Sequence, residues 1–330
     1  MSSPLVSVVT PVYNAGPYLR DCIESVLAQT YSSWDYTIVN NCSTDGTLAV
    51  AEEYARRESR IRIRNNCRHV RVAENHNIAV RTISPESKYC KVILADDWMF
   101  PRCLTSMVQV AEAHPTVGMV GAYGLVGTLL KWHGLPYPST VVSGRSICRA
   151  SLLNELAVFG SPTTTMLRSD VIRNRDPFYN ESNVHFDVEA CYETLQQSDF
   201  GFVHEVLTFT RIDNESLRTI TEPLNTQGLS DIYNMLKYGP VFLTDTEYER
   251  RLRELWREYY TFLAWAVTAR GPEFWRFHRQ KLQDLRQPFS RFRLLKAIVA
   301  RAVSAALNPR RCLERALEIY FPPKTCRSAP

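Results

Sequence analysis

Leu5-Val6-Ser7-Val8-Val9-Thr10 is an apolar run of strand length, and Pro11 with Asn14-Ala15-Gly16-Pro17 stops it and starts a helix at Pro17. That helix is amphipathic: Leu19, Cys22, Ile23, Val26 and Leu27 follow helical spacing, and Gln29-Thr30 closes it. The unit then repeats. Tyr36 to Val39 reads as a second strand, Asn40 to Thr47 as a polar turn and Leu48 to Arg57 as a second helix. Ile61 to Arg64 makes a third strand, Asn75 to Thr82 a third helix and Lys91 to Leu94 a fourth strand, followed by a helix over Leu104 to His114 and a fifth strand over Val117 to Ala122. Such alternation calls for an α/β fold, a mostly parallel sheet flanked by helices.

From about Lys131 the pattern loosens into Gly, Pro and Ser-rich segments, with a helix over His185 to Gln197 and an apolar, strand-like stretch over Gly201 to Thr210. This half is expected to complete the sheet and build the far wall of a site. After Glu222 the chain is helical in period and rich in Arg and aromatic residues.

With 330 residues, 45% of them apolar and 22% charged, the chain has an ordinary globular composition and enough length to bury a full core. No charged and then apolar leader opens it, and the longest uncharged stretch, Pro115 to Leu130, is short for a membrane span and broken by four glycines. Its nine cysteines are scattered and form no C-x-x-C pair, which points to reduced thiols and a cytoplasmic location rather than to disulfides or zinc. The net charge of +5 is uneven: from Gly271 onward thirteen Lys or Arg face four acids, +9, leaving −4 for the first 270 residues. A basic tail on a mildly acidic body suggests an anionic partner.

Three polar loops follow strands: Thr10-Pro11-Val12-Tyr13-Asn14, Asn40-Asn41-Cys42-Ser43-Thr44-Asp45-Gly46-Thr47 and Asp96-Asp97. In an open α/β sheet the carboxyl ends of the strands bind ligands. Two adjacent carboxylates repel unless a cation sits beside them, so Asp96-Asp97 suggests a divalent metal carrying a phosphate. Neither G-x-G-x-x-G nor G-x-x-x-x-G-K-[ST] is present, which disfavours an NAD-linked oxidoreductase and a P-loop enzyme. Tyr13 is placed to lie against a base, Asn40 or Asn41 to bond its edge, and the acid pair to hold a metal on diphosphate oxygens.

On Val6-Ser7-Val8-Val9-Thr10-Pro11-Val12-Tyr13-Asn14, Cys22 to Tyr31, Ser43-Thr44-Asp45-Gly46-Thr47 and Ala95-Asp96-Asp97, the chain resembles the family 2 glycosyltransferases with the GT-A fold over roughly residues 4 to 220. The resemblance implies an inverting enzyme that moves a sugar from a nucleotide diphosphate sugar to an acceptor hydroxyl in glycan or polysaccharide assembly, with Mn2+ or Mg2+. Thr10, Pro11 and Tyr13 would line the base pocket, with Asn40, Asn41, Asp45, Asn77 and Asp96 also about the donor; Asp97 or Asp96 would ligate the metal. The implied organisation is a glycosyltransferase domain over 1–225, its nucleotide-binding half about 1–125 and its acceptor half about 126–225, followed by a helical, basic region over 226–330.

Four positions depart from the family pattern. Asn40-Asn41 stands where most members have acids, so an amide replaces a pure acceptor. Leu94 stands where the first acid of a D-x-D motif often lies. Asp213 stands where relatives often have a His beside the diphosphate; it is a further candidate metal ligand or else a turn residue.

For the base that takes the acceptor's proton, the candidate is Asp187 in Val184-His185-Phe186-Asp187-Val188-Glu189, where a helix begins; the helix N-terminus is expected to lower its pKa. A capping role is the other reading of Asp187. Glu189, two residues on, should point elsewhere, and His185 is a second candidate. Trp98, Trp132, Tyr137 and Phe159 are candidate sugar-stacking residues, and Gly160 to Thr165 reads as a loop feeding a strand, with hydroxyls for the acceptor.

Phe289 to Leu307 forms a basic amphipathic helix suited to an anionic membrane surface, which would fit a lipid-linked sugar acceptor and a peripheral place on the inner membrane face. Packing on the catalytic domain is the alternative. No nucleic-acid reader motif accompanies the basic residues. A second functional class also stands: an inactive sugar-nucleotide-binding module acting as scaffold or partner subunit.

Overall fold

The computed structural model of the chain describes residues 3–132, 134–212 and 224–307. It divides into two compact units, one of Met1–Ile220 with Tyr238–Leu243 and one of Thr221–Lys237 with Thr244–Pro330. In the first unit ten strands form one sheet: β1 (Val6–Val12), β2 (Trp34–Asn40), β3 (Ile61–Asn65), β4 (Tyr89–Val92), β5 (Trp98–Met99), β6 (Val117–Val126), β7 (Leu129–Lys131), β8 (Val141–Val142), β9 (Thr165–Arg168) and β10 (Asp199–Thr210). Their order is β3-β2-β1-β4-β9-β6-β10-β5, with β7 on β6 and β8 on β10. β3, β2, β1 and β4 are parallel. Beyond β4 the sheet is mixed, because β9 runs antiparallel between β4 and β6 while β6 and β10 are again parallel.

The helices of this unit are α1 (Gly16–Leu27), α2 (Thr47–Arg57), α3 (Val72–Val80), α4 (Cys103–Ala113), α5 (Gly144–Leu152), α6 (Ser169–Arg173) and α7 (Phe186–Leu195); α8 (Thr226–Phe242) has residues in both units. Every residue of β1 is buried, as a strand covered on both faces requires, and Val6, Val8 and Val12 join Leu19, Ile23 and Val26 of α1 in one core.

Pro11 does not end the first strand. β4 pairs with β1 only as far as Val9, whereas β2 continues to Val12. The Val12 carbonyl accepts from Asn41 on the β2 side and the Val9 carbonyl from Ile93 on the β4 side. Pro11, in phase with Val9, therefore directs its missing N–H to the side where β4 has already stopped, and no ladder bond is lost. Short elements such as β5, β7, β8 and α6 leave no periodic trace in the sequence.

The second unit contains α9 (Asp245–Ala266), α10 (Pro272–Asp284) and α11 (Arg291–Leu307). Thr244 and Glu247 form a reciprocal capping box at the start of α9, and Tyr259 of α9 meets the buried His278 of α10, hydroxyl to Nδ1, at 2.8 Å. Among the described residues no helix is long and apolar enough to cross a membrane. The seven described cysteines are all unpaired thiols.

Candidate active site

β1, β2 and β3 end in register at Val12, Asn40 and Asn65, so the loops that follow emerge together. They interlock through their own backbone. Asn14, at φ 49°, donates its N–H to Ser43 Oγ at 3.0 Å and accepts from the Thr44 N–H at 2.8 Å. Asp45 accepts from the Gly16 N–H at 3.1 Å and the Thr47 N–H at 3.0 Å, which ties the second loop to the start of α1 and gives Asp45 a scaffolding place. Tyr13 is 48% exposed and meets the exposed His69 ring edge-on, centroids 4.6 Å apart. The pair makes an aromatic lip that a base can lie against, and His69 was invisible as part of it in the sequence.

Several of the residues expected about the donor have protein partners. Thr10 is wholly buried with its hydroxyl 2.8 Å from the Tyr36 hydroxyl, so its side chain belongs to the core; Pro11 is buried as well. Asn41 accepts from the Val70 N–H at 2.9 Å and donates to the Val70 carbonyl at 2.8 Å, while Asn66 donates to its oxygen at 3.1 Å. Asn40 donates to Asn65 at 2.9 Å and accepts from the Ser43 N–H at 3.1 Å. Both amides are thus spent on protein partners. Asn41 imitates a strand rung, which a carboxylate cannot do because it has no N–H for the Val70 carbonyl. The amide pair holds the loop that carries His69.

Asn77 is likewise a clamp. Buried in α3, it donates to the Tyr179 carbonyl and to Glu181, each at 2.9 Å, and accepts from the Tyr179 N–H at 2.8 Å. It fastens the loop that leads into α7 and Asp187. Asn77→Ala would leave a buried N–H and C=O unpaired, and a loss of about 2–4 kcal/mol is expected, read as a lowered urea midpoint with unchanged slope.

After β4 the chain turns at Leu94–Asp97 and rejoins the sheet at β5, beside β10. Asp97 faces inward, 1% exposed: Oδ2 accepts from the Thr163 hydroxyl at 2.6 Å and the Thr210 hydroxyl at 3.3 Å, and Oδ1 from the Arg211 N–H at 3.3 Å. Burial, then the neighbouring Asp96 charge, push its carboxyl up to about 7 against these donors. Asp96 is the more exposed acid, and its carbonyl accepts from Arg211 Nε at 3.3 Å.

The repulsion within the pair meets cations from the protein itself. Arg211 also bonds Asp21 at 3.1 Å and lies over the Tyr18 and Trp98 rings. Lys91, in the middle of β4, is wholly buried and donates to the carbonyls of Thr163 and Thr165. Burial lowers its pKa, while the Cys103 thiol and Asp97 oppose that shift. A lysine inside a strand buried on both faces was the sequence signal for this role. Thr163, expected to meet an acceptor, is the joint between Lys91 and Asp97.

Asp187, in the first turn of α7, lines a small, mostly apolar cavity with Gly160, Pro162, Thr165, Leu167 and Tyr179. Burial raises its carboxyl to about 6, although the Val188 N–H bonds Oδ1 at 2.9 Å. The expected lowering by the helix end is therefore outweighed by desolvation. Glu189 points elsewhere, accepting from Asn180 at 3.0 Å and Asn183 at 2.7 Å. Burial also lowers the pKa of half-buried His185. The Ser161 hydroxyl, in the same segment as Gly160 and Pro162, has no protein hydrogen bond.

Trp98 stacks on Phe209 with centroids 3.8 Å apart, and Phe159 packs against Tyr192 and Phe200; both are half-buried. Trp132 lies over Gly160, where an added Cβ would come within 2.3 Å of its ring, so only glycine fits. Tyr137 is 81% exposed.

Among the described residues no three His, Cys, Asp or Glu side chains gather into a metal cage, and Asp213 lies outside the described residues. Mg2+ or Mn2+ needs only one or two carboxylates when substrate phosphates supply the other oxygens. Half-buried Asp96, beside inward-facing Asp97, fits a hard cation shared with a diphosphate and not one held by protein alone.

A family model described as glycosyl transferase family 2 matches residues 7–175. The putative glycosyltransferase EpsE of Bacillus subtilis is 30% identical over 232 residues, 66% of this chain and 81% of that one. Among solved structures, S. aureus TarS 1–349 in complex with UDP-GlcNAc is similar at TM-score 0.62 and 13% identity, covering 96% of this chain and 89% of that one. The mannosyltransferase PcManGT from Pyrobaculum calidifontis in complex with GDP-Man and Mn2+ is similar at TM-score 0.59 and 15% identity, covering 97% and 85%.

Proposed function

Since the chain belongs to glycosyl transferase family 2 and is a glycosyltransferase with the GT-A type of fold, we propose that it transfers a sugar from a nucleotide diphosphate sugar to an acceptor hydroxyl with inversion, Asp187 acting as base. One observation carries this reading. The segment Gly160–Thr165 touches both acid centres: Pro162 and Thr165 line the Asp187 cavity, while Thr163 bonds Asp97.

In this reading Tyr13 and His69 hold the base and Asp96 is the outer ligand of Mn2+ or Mg2+, with Asp97 fixing its turn. The ion, when bound, neutralises charge on the departing diphosphate. Asp187 accepts the hydroxyl proton as the acceptor oxygen attacks the anomeric carbon from the face opposite the diphosphate. A carboxyl raised to about 6 is ionised at neutral pH yet more basic than an ordinary one, which suits a base. The acceptor belongs to the class of glycans and lipid-linked sugars, and a peripheral place on the inner membrane face is part of the same reading.

The test is a melting-temperature screen of nucleotide diphosphate sugars with and without Mn2+, followed by NMR of the product's anomeric configuration. A donor at a hundred times its dissociation constant is expected to add about 2.7 kcal/mol of stability, a rise that depends on Mn2+. Retention of configuration, or turnover equal with and without the ion, would remove the inverting or the metal-assisted part.

A further inference from the structure

α11 is built the wrong way round for a helix that only packs on its own domain. Its contacts inside the second unit come from the side that carries Leu294, Ala297, Ile298 and Arg301, all partly buried. Arg301 donates to the Ala264 carbonyl at 2.7 Å and lies over the Trp265 ring, 4.1 Å from its centroid, and Arg293 lies over Trp256 at 5.2 Å. The opposite side shows Phe292, Leu295, Val299, Val303 and Leu307, exposed by 76, 59, 53, 52 and 74%. Their spacing of three and four residues joins them into one stripe running the length of the helix. Exposed Arg291 and Lys296 border it, and no acid occurs anywhere from residue 285 to 313.

We propose that this stripe is a membrane-docking face, lying in the headgroup region of an anionic bilayer with Arg291 and Lys296 on lipid phosphates. A continuous apolar stripe on a soluble surface is costly unless something covers it. A bilayer covers it and supplies the missing negative charge. A second copy of the chain would cover it as well, but pairing two such helices brings four cations together with no acid on either helix to offset them. The inference deepens the peripheral-membrane part of the proposed function and is independent of the chemistry assigned to Asp187 and Asp96.

The test uses the full chain with sucrose-loaded vesicles of phosphatidylcholine alone or mixed with phosphatidylglycerol. Sedimentation with the mixed vesicles is expected, weakening in high salt. Val299→Glu with Val303→Glu should abolish it, and Arg291→Gln with Lys296→Gln should weaken it about thirtyfold, at roughly 1 kcal/mol per cation. All four positions are exposed, so circular dichroism and donor hydrolysis should match the parent. Absence of sedimentation with either vesicle overturns the proposal, as does a concentration-dependent dimer that Val299→Glu with Val303→Glu disperses. Loss of hydrolysis in the parent while vesicle binding persists would instead count against the catalytic reading alone.

Discussion

Asp187→Asn is expected to lower kcat for sugar transfer by about 10²–10⁴-fold while leaving the dissociation constant of the nucleotide sugar unchanged. The substitution keeps an oxygen for the Val188 N–H and nearly the same volume, so it removes the basic lone pair and little else. The parent's rate should climb with pH through a midpoint near 6, where the carboxyl loses its proton, and the residual rate of the variant should lack that limb. Stability should move the other way. The folded carboxyl is raised from 3.8 to about 6, so between those values the folded state keeps a proton that the unfolded chain has released. Stability conferred by the protonated form is present at acid pH and is lost as pH rises through about 6. Above that point the neutral amide should make the variant more stable than the parent, by roughly 1–3 kcal/mol. Urea denaturation at pH 5 and pH 8 measures this; a variant less stable than the parent at pH 8 would show that Asp187 is a structural cap.

The second large effect separates two adjacent acids. Asp96→Asn is expected to reduce kcat/KM by about 10²–10³-fold and to abolish the response to Mn2+, with the urea midpoint nearer the parent's than that of Asp97→Asn, because Asp96 is the less buried acid. Asp97→Asn is expected to act on the fold. Thr163, Thr210 and the Arg211 N–H all donate to Asp97, and an amide turns its NH2 toward at least one of them. The hydroxyls can rotate and the backbone N–H cannot, so a loss of about 1–3 kcal/mol should accompany any fall in activity. Equal stability losses in the two variants would overturn the division between an outer, ion-facing acid and an inner, bracing one.

Much of the donor half was legible. Apart from β5, the strands and helices of residues 5–122 follow hydrophobic period, and the turn after β4 at Asp96-Asp97 and the start of a helix at Asp187 carried the two acid centres. The side-chain partners that the sequence did not show share one feature. Thr10 lies inside β1, Asn40 and Asn41 at the end of β2 and Asn77 inside α3; each has its side chain satisfied by a partner 25 to 102 residues away. Hydrogen-bond partners so remote have no local signature.

Order along the chain determined the family, the parallel donor half and the presence of two acid centres, because period and turn chemistry are local properties. Tertiary structure decided which acid is buried, because that depends on Thr163, in the turn before β9, and Thr210, at the end of β10, arriving from distant parts of the chain. It also decided the sign of the Asp187 shift, since a cavity wall assembled from four segments outweighs one helix end. The direction faced by α11 was settled in the same way. Its sequence is symmetric between packing inward and facing lipid, and only its contacts with α9 show that the arginine side is the one that packs.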